Sequence, residues 1–172
     1  MSAAAETRRE PWARFALKAG ALLVAFYAAG SYAGERFRIG IDPQINRCLP
    51  GTRAVLIDRH DRTPVRGALI AFKTRGLEPF FADGTTFVKV ADGLPGDRVR
   101  VSEEAVTVNG TVVGEGLALS ATVGKPAAAF VRDAQVPAGA VWAMGRTADS
   151  YDSRYWGPVD DAQIVGRAYR LF

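Results

Sequence analysis

Twenty residues from Phe15 to Gly34, FALKAGALLVAFYAAGSYAG, carry a single charge, Lys18. As a helix rising about 1.5 Å per residue, that run reaches roughly 30 Å, the thickness of a hydrocarbon core. It divides the chain into residues 1–14, a transmembrane helix over 15–34, and a larger part over 35–172. Lys18 lies one turn in, where its stem lets the ammonium snorkel to the headgroups. The basic residues Arg8, Arg9, Arg14 and Lys18 place the N-terminus in the cytoplasm. The remainder then lies in the periplasm, tethered to the inner membrane by one pass. Arg36 and Arg38 reduce the asymmetry. Two rival readings share the pattern. A cleaved signal peptide also has a basic start, an apolar middle and small residues at its end, as in Ser31–Gly34. An Ala-rich helix of moderate hydrophobicity also suits the core of a soluble protein.

After Gly34 the pattern changes to short alternating runs between turn residues, with no long 3.6-residue periodicity. Thr52–Asp58, Gly67–Lys73, Thr85–Ala91 and Asp97–Ser102 read as strands. Ala105–Val113 holds Asn109-Gly110, the strongest short-range signal for a two-residue hairpin. Gly139–Gly145 and Ala162–Phe172 supply later strands, and Leu117–Val136 reads as loop with one strand at most. The fold class is mainly β, one domain of coiled sheets behind the helix.

The net charge of +4 raises nucleic acid as a partner. Residues 1–38 hold six basic and three acidic residues, and the other 134 hold 16 and 15. The excess flanks the apolar segment and forms no stripe on the folded part, so nucleic acid is not an expected partner. A single histidine, His60, argues against a His-rich metal site, and a lone cysteine excludes an intramolecular disulfide.

The inventory of nucleophiles and bases is short. Between Gly34 and Ser102 there is no serine. Lys89 lies inside a strand between Val88 and Val90, on the same side as Phe87 and Ala91. A lysine on a buried face pays desolvation unless it gives up its proton, which is what makes a lysine a general base. The alternative is an edge-strand lysine that guards against aggregation. Cys48, in INRCLPG, reads alone as a small buried hydrophobe.

Three stretches in order change the weighting: CLPG (Cys48–Gly51), FVKVADGLPGD (Phe87–Asp97) and GRTADSYDSRYWG (Gly145–Gly157). Behind an N-terminal anchor they resemble the type I signal peptidases, membrane-anchored serine–lysine endopeptidases. RGALIAF (Arg66–Phe72) matches a middle motif, with Ala68 where Asp is usual. The opening IGIDPQINRCLPG and the closing IVGRAYRLF resemble the conjugative-transfer branch, whose members process pilin-type precursors for plasmid transfer or type IV secretion. The resemblance puts Cys48 on the serine position and Lys89 on the general base. It makes Ser150 the residue that orients the lysine and Asp152 with Arg154 a structural ion pair. The Cys48 amide and the Asn46 side chain become candidate oxyanion donors; Asn46 serves equally well as a turn cap. The chemistry implied needs no cofactor or metal. The partners implied are the inner membrane and an exported, pilin-like precursor with small residues before the cleavage point.

A Cys–Lys pair is chemically competent. Reference pKa values of about 8.5 for a thiol and about 10.4 for an ammonium favour thiolate and ammonium in water, while burial favours the neutral pair. Either state yields a thiolate at attack, and the ammonium then protonates the departing amine. Two rival functions remain: a signal-peptidase-like scaffold that has lost its nucleophile, and a tethered β-domain whose Trp142, Tyr155 and Trp156 meet a partner or the bilayer.

Overall fold

The computed structural model describes residues 11–45 and 47–172. The chain divides after Arg36 into two compact units. The first holds helix α1, Trp12–Arg36, which extends beyond the apolar run at both ends. It is long and apolar enough, by length and composition, to cross a membrane, and Leu17, Leu22, Leu23, Val24 and Phe26 on it are exposed. Of the expected cytoplasmic segment 1–14, residues 1–10 lie outside the described residues.

The second unit, residues 37–172, is mainly β, as its period-two patterning requires. Its strands are β1 (Phe37–Ile41), β2 (Ala54–Asp58), β3 (Leu69–Lys73), β4 (Thr86–Gly93), β5 (Arg98–Val101), β6 (Ala105–Val108), β7 (Thr111–Glu115), β8 (Arg132–Gln135), β9 (Ala140–Met144), β10 (Val159–Asp160) and β11 (Ile164–Arg170). A seven-stranded antiparallel sheet has the order β1-β2-β11-β3-β4-β9-β10, and a four-stranded one the order β7-β6-β5-β8. One short helix, α2 (Ser153–Trp156), follows β9.

Both faces of the large sheet are covered, so β3 reads as a continuous apolar run. Leu69 and Ala71 join Leu49, Val55, Ile57 and Val90 on one side, and Ile70 and Phe72 join Ala91, Val141, Ala143 and Ile164 on the other. A third cluster joins Val99, Val101, Val106 and Val108 of the small sheet to Trp142, Met144 and Tyr155. Trp142 and Tyr155 are therefore core residues, 2% and 7% exposed, and not a bilayer-facing surface; Trp156 is half-buried against Phe72.

The Asn109-Gly110 turn forms as expected. Both residues have positive φ, 49° and 82°, the combination of a type I′ hairpin. β1, by contrast, is absent from the sequence reading. It pairs with β2 from Phe37↔Asp58 to Ile41↔Ala54 and forms one edge of the large sheet.

Leu94-Pro95-Gly96-Asp97 is a tight turn: the Asp97 amide donates to the Leu94 carbonyl at 3.0 Å, and Gly96 takes φ +90°. The Asp97 carboxylate accepts from the Leu94 amide, from Asn109 Nδ2 and from Arg66, at 2.6, 2.7 and 2.7 Å. Burial pushes its pKa up, but these hydrogen bonds outweigh it and hold it below the ordinary value. A carboxylate depressed in the folded state stabilises above its unfolded pKa and loses that stabilisation as pH falls through the folded one. Asp97→Asn is expected to melt about 3–5 °C below wild type at neutral pH. The gap should close as pH drops below the ordinary aspartate value of 3.8, as read by thermal denaturation across pH.

Candidate active site

β4 carries Lys89 into the interior, and β3 pairs with it along Thr86–Val90. On its other side β9 pairs only from Val90 onward, with Val90↔Met144 and Ala91↔Ala143. The first half of β4 is left open there, and a cleft of about 770 Å³ runs along it. Thr86, Phe87, Val88 and Lys89 line the cleft with Cys48 and Leu49. An open strand edge offers backbone donors and acceptors to an extended peptide.

Lys89 is 4% exposed, and its Nζ donates to Ser150 Oγ at 2.8 Å. The centroid of the Phe87 ring lies 5.7 Å from Lys89 Nζ. Among the described residues no carboxylate pairs with Lys89. The edge-strand alternative fails here, because a gatekeeping lysine is solvated and this one is not.

Ser150 is 1% exposed and is held by a loop fastened at both ends. Its amide donates to the Thr147 carbonyl at 3.2 Å. Beyond it, Asp152 caps α2 by accepting from the Arg154 amide at 3.2 Å. The same carboxylate accepts from the Gly145 amide at 2.9 Å, tying α2 to the end of β9. Ser153 Oγ adds a second tie, accepting from the Ala143 amide at 2.9 Å.

Asp152 and Arg154 are both fully buried and meet as a fork, Nε to Oδ1 at 2.8 Å and Nη2 to Oδ2 at 3.0 Å. Arg154 also donates to the carbonyls of Glu115, Gly116 and Thr147, which links the small sheet to the serine loop. The pair ties α2 to the end of β9 and to the small sheet, two residues beyond Ser150.

Gly145 brings the cysteine loop and the serine loop together. A β-carbon there would collide with Ser150 Oγ and stand 3.1 Å from the Cys48 carbonyl oxygen. The next residue, Arg146, donates its amide to that carbonyl at 2.6 Å. Its guanidinium forks onto buried Asp92 at 2.6 and 2.9 Å, which raises the arginine's pKa above its ordinary value. Gly145 and Arg146 were visible only as a shortened motif, and their contacts depend on backbone approach that no local pattern encodes. Gly145→Ala is expected to displace Ser150 and lower turnover by about 10²-fold, measured as initial rates with the fold checked by circular dichroism.

Cys48 is half-buried and packs beside Leu49, Val55 and Val90. Asn46, the second oxyanion candidate, lies outside the described residues. Ala68 makes backbone bonds only, its amide to Val65 and its carbonyl from Ala91, both at 2.9 Å. An aromatic wall, unnoticed in the sequence, flanks the cleft. Tyr151 stacks on Phe81 at 5.9 Å and meets Phe80 edge-on at 5.8 Å. Burial raises the Tyr151 pKa above its ordinary value.

The chain matches the model of the family "Signal peptidase, peptidase S26" over residues 13–172, and it belongs to that family. It is 34% identical to a probable signal peptidase I-2 of Synechocystis sp. over 112 residues, 64% of this chain and 49% of that protein. It is 33% identical over 119 residues to a signal peptidase I of Leptolyngbya laminosa, 67% of this chain and 56% of that one. With the conjugal transfer protein TraF of Agrobacterium fabrum it shares 32% over 85 residues, 49% of this chain and 48% of that protein. The chain thus spans about half the length of the curated relatives it matches. A crystal structure of a signal peptidase I from Enterococcus faecalis aligns with a TM-score of 0.40 at 26% identity, covering 65% of this chain and 99% of that one.

Proposed function

We propose that this protein is a membrane-anchored endopeptidase that removes leader peptides from exported precursors, with Cys48 as nucleophile and Lys89 as general base. The observation that carries the proposal is the buried Lys89–Ser150 hydrogen bond, made by a lysine that lines the same cleft as Cys48. The Ser150 hydroxyl can accept from an ammonium or donate to a free amine, so Lys89 keeps its partner in either protonation state. In the reaction the Cys48 thiol loses its proton to Lys89 and the sulfur attacks the scissile carbonyl. The resulting tetrahedral oxyanion takes the Cys48 amide as donor. Lys89 returns the proton to the leaving amine, which departs and leaves a thioester. Water then attacks the thioester, with Lys89 again taking the proton, and frees Cys48.

Family membership supports the peptidase class, and the likeness to a conjugal transfer protein supports a role in conjugative transfer. A pilin-like precursor is the substrate we propose. Helix α1 serves as the anchor, with the N-terminus in the cytoplasm and the β unit in the periplasm. The scaffold reading draws on one observation, cysteine where the family carries serine. Iodoacetamide separates the two. Alkylation of Cys48 is expected to be fast, to abolish precursor cleavage and to be slowed by precursor. A thiol that resists alkylation, or a cleavage rate indifferent to it, contradicts the dyad.

A further inference from the structure

Thr52 is 4% exposed, and its Oγ1 is buried with no hydrogen-bond partner. Buried hydroxyls are usually paired, and an orphan on the wall of a cleft is one that a ligand there can complete. Of the described residues with an unpartnered buried side-chain atom, Thr52 alone lines the cleft.

The local chain holds it there. The Thr52 amide donates to the Leu49 carbonyl at 3.1 Å, and Gly51 takes φ +70°. Proline second and a positive-φ glycine third define a type II turn, whose end residues lie within about 7 Å. The Leu49-Pro50-Gly51-Thr52 turn therefore folds Thr52 back beside the residue that follows Cys48. Leu49 is itself buried, at 4% exposure, so the turn is anchored to the core.

We propose that Thr52 is a substrate-binding residue, whose hydroxyl donates a hydrogen bond to a main-chain carbonyl of an extended peptide lying along the open edge of β4. The proposal rests on the cleft being a peptide site, as the reading above has it. A carbonyl is the fitting acceptor: it recurs at every residue of an extended chain and keeps a second lone pair for the strand edge. A main-chain contact is indifferent to substrate side chains. The loss on removing it should therefore be similar for precursors that differ in sequence around the scissile bond.

The test uses Thr52→Val, which keeps the shape and removes the hydroxyl, and Thr52→Ser, which keeps the hydroxyl. The probe is a synthetic peptide with Ala-x-Ala before the scissile bond, assayed for cleavage by the full chain. Its binding to the Cys48→Ala protein is read by fluorescence anisotropy. Thr52→Val is expected to lower kcat/KM and peptide affinity by about tenfold, the scale of one neutral hydrogen bond. Its Tm should equal or exceed that of wild type, because a buried unpaired hydroxyl has been removed. Thr52→Ser should recover most of the loss. Unchanged binding and cleavage in Thr52→Val overturns the proposal and leaves the peptidase reading standing. A lower Tm in Thr52→Val also overturns it, since the hydroxyl then has a structural partner. If wild type binds the peptide without cutting it and Thr52→Val binds it less, Thr52 stands and the peptidase reading falls. If Cys48→Ala and wild type both fail to bind, both readings fall.

Discussion

Lys89→Met is expected to cut the rate of precursor cleavage by about 10²–10⁴-fold while leaving Tm within a few degrees of wild type. The rate falls because the proton on Cys48 loses its acceptor and the leaving amine its donor. The fold survives because methionine replaces the buried stem of Lys89 at similar volume and needs no hydrogen bond. What it leaves behind is one unpaired hydroxyl, Ser150, now without the bond of 2.8 Å. Activity and stability should therefore separate, which a purely architectural lysine would not allow. Initial rates on a precursor, set beside a thermal melt, read both quantities.

The second large effect lies below the site. Asp152→Ala is expected to destabilise the β unit by about 3–5 kcal/mol, because it leaves Arg154 buried without its anion. That is a large share of the roughly 5–15 kcal/mol that holds a domain together, and Tm should fall by roughly 10 °C. Three contacts go at once: the fork to Arg154, the cap on α2 and the bond to the Gly145 amide. Asp152→Asn keeps the cap and one acceptor and should lose less. Replacing both members, Asp152→Leu with Arg154→Met, should recover part of the loss, since no uncompensated charge then remains. Chemical denaturation of the three variants orders them.

The strands that the sequence marks clearly are those whose apolar residues alternate or run together between turn residues. β2 to β7, β9 and β11 fall near their expected places for that reason. β1 is not legible because FRIGI follows the helix without a break and two of its five residues are Arg and Gly. α2 is not legible because one turn of four residues carries no period, and only its Asp152 cap hints at it. Trp142 and Tyr155 mislead when read as surface aromatics, because their role is set by the small sheet packing against them.

The site divides along the same line. Lys89 stands out as a strand lysine flanked by Phe87 and Ala91, but the local pattern alone leaves a gatekeeping lysine open, and the motif resemblance decides between them. Its partner Ser150 and the Asp152–Arg154 pair follow from resemblance, and the structure gives them their distances. The contacts around Gly145, the Arg146 amide and the Phe80–Phe81–Tyr151 wall join segments far apart in the chain. No local pattern carries that information. Thr52 is a case of its own: a threonine after a Pro-Gly turn is ordinary, and only burial without a partner sets it apart.

The most direct measurement is precursor cleavage by purified full-length protein in which Cys48 is replaced by alanine. With the β unit folded by circular dichroism, Cys48→Ala is predicted to leave the precursor intact over times in which wild type cuts it to completion. Processing by Cys48→Ala at the wild-type rate would contradict the account, because no dyad can then run through Cys48.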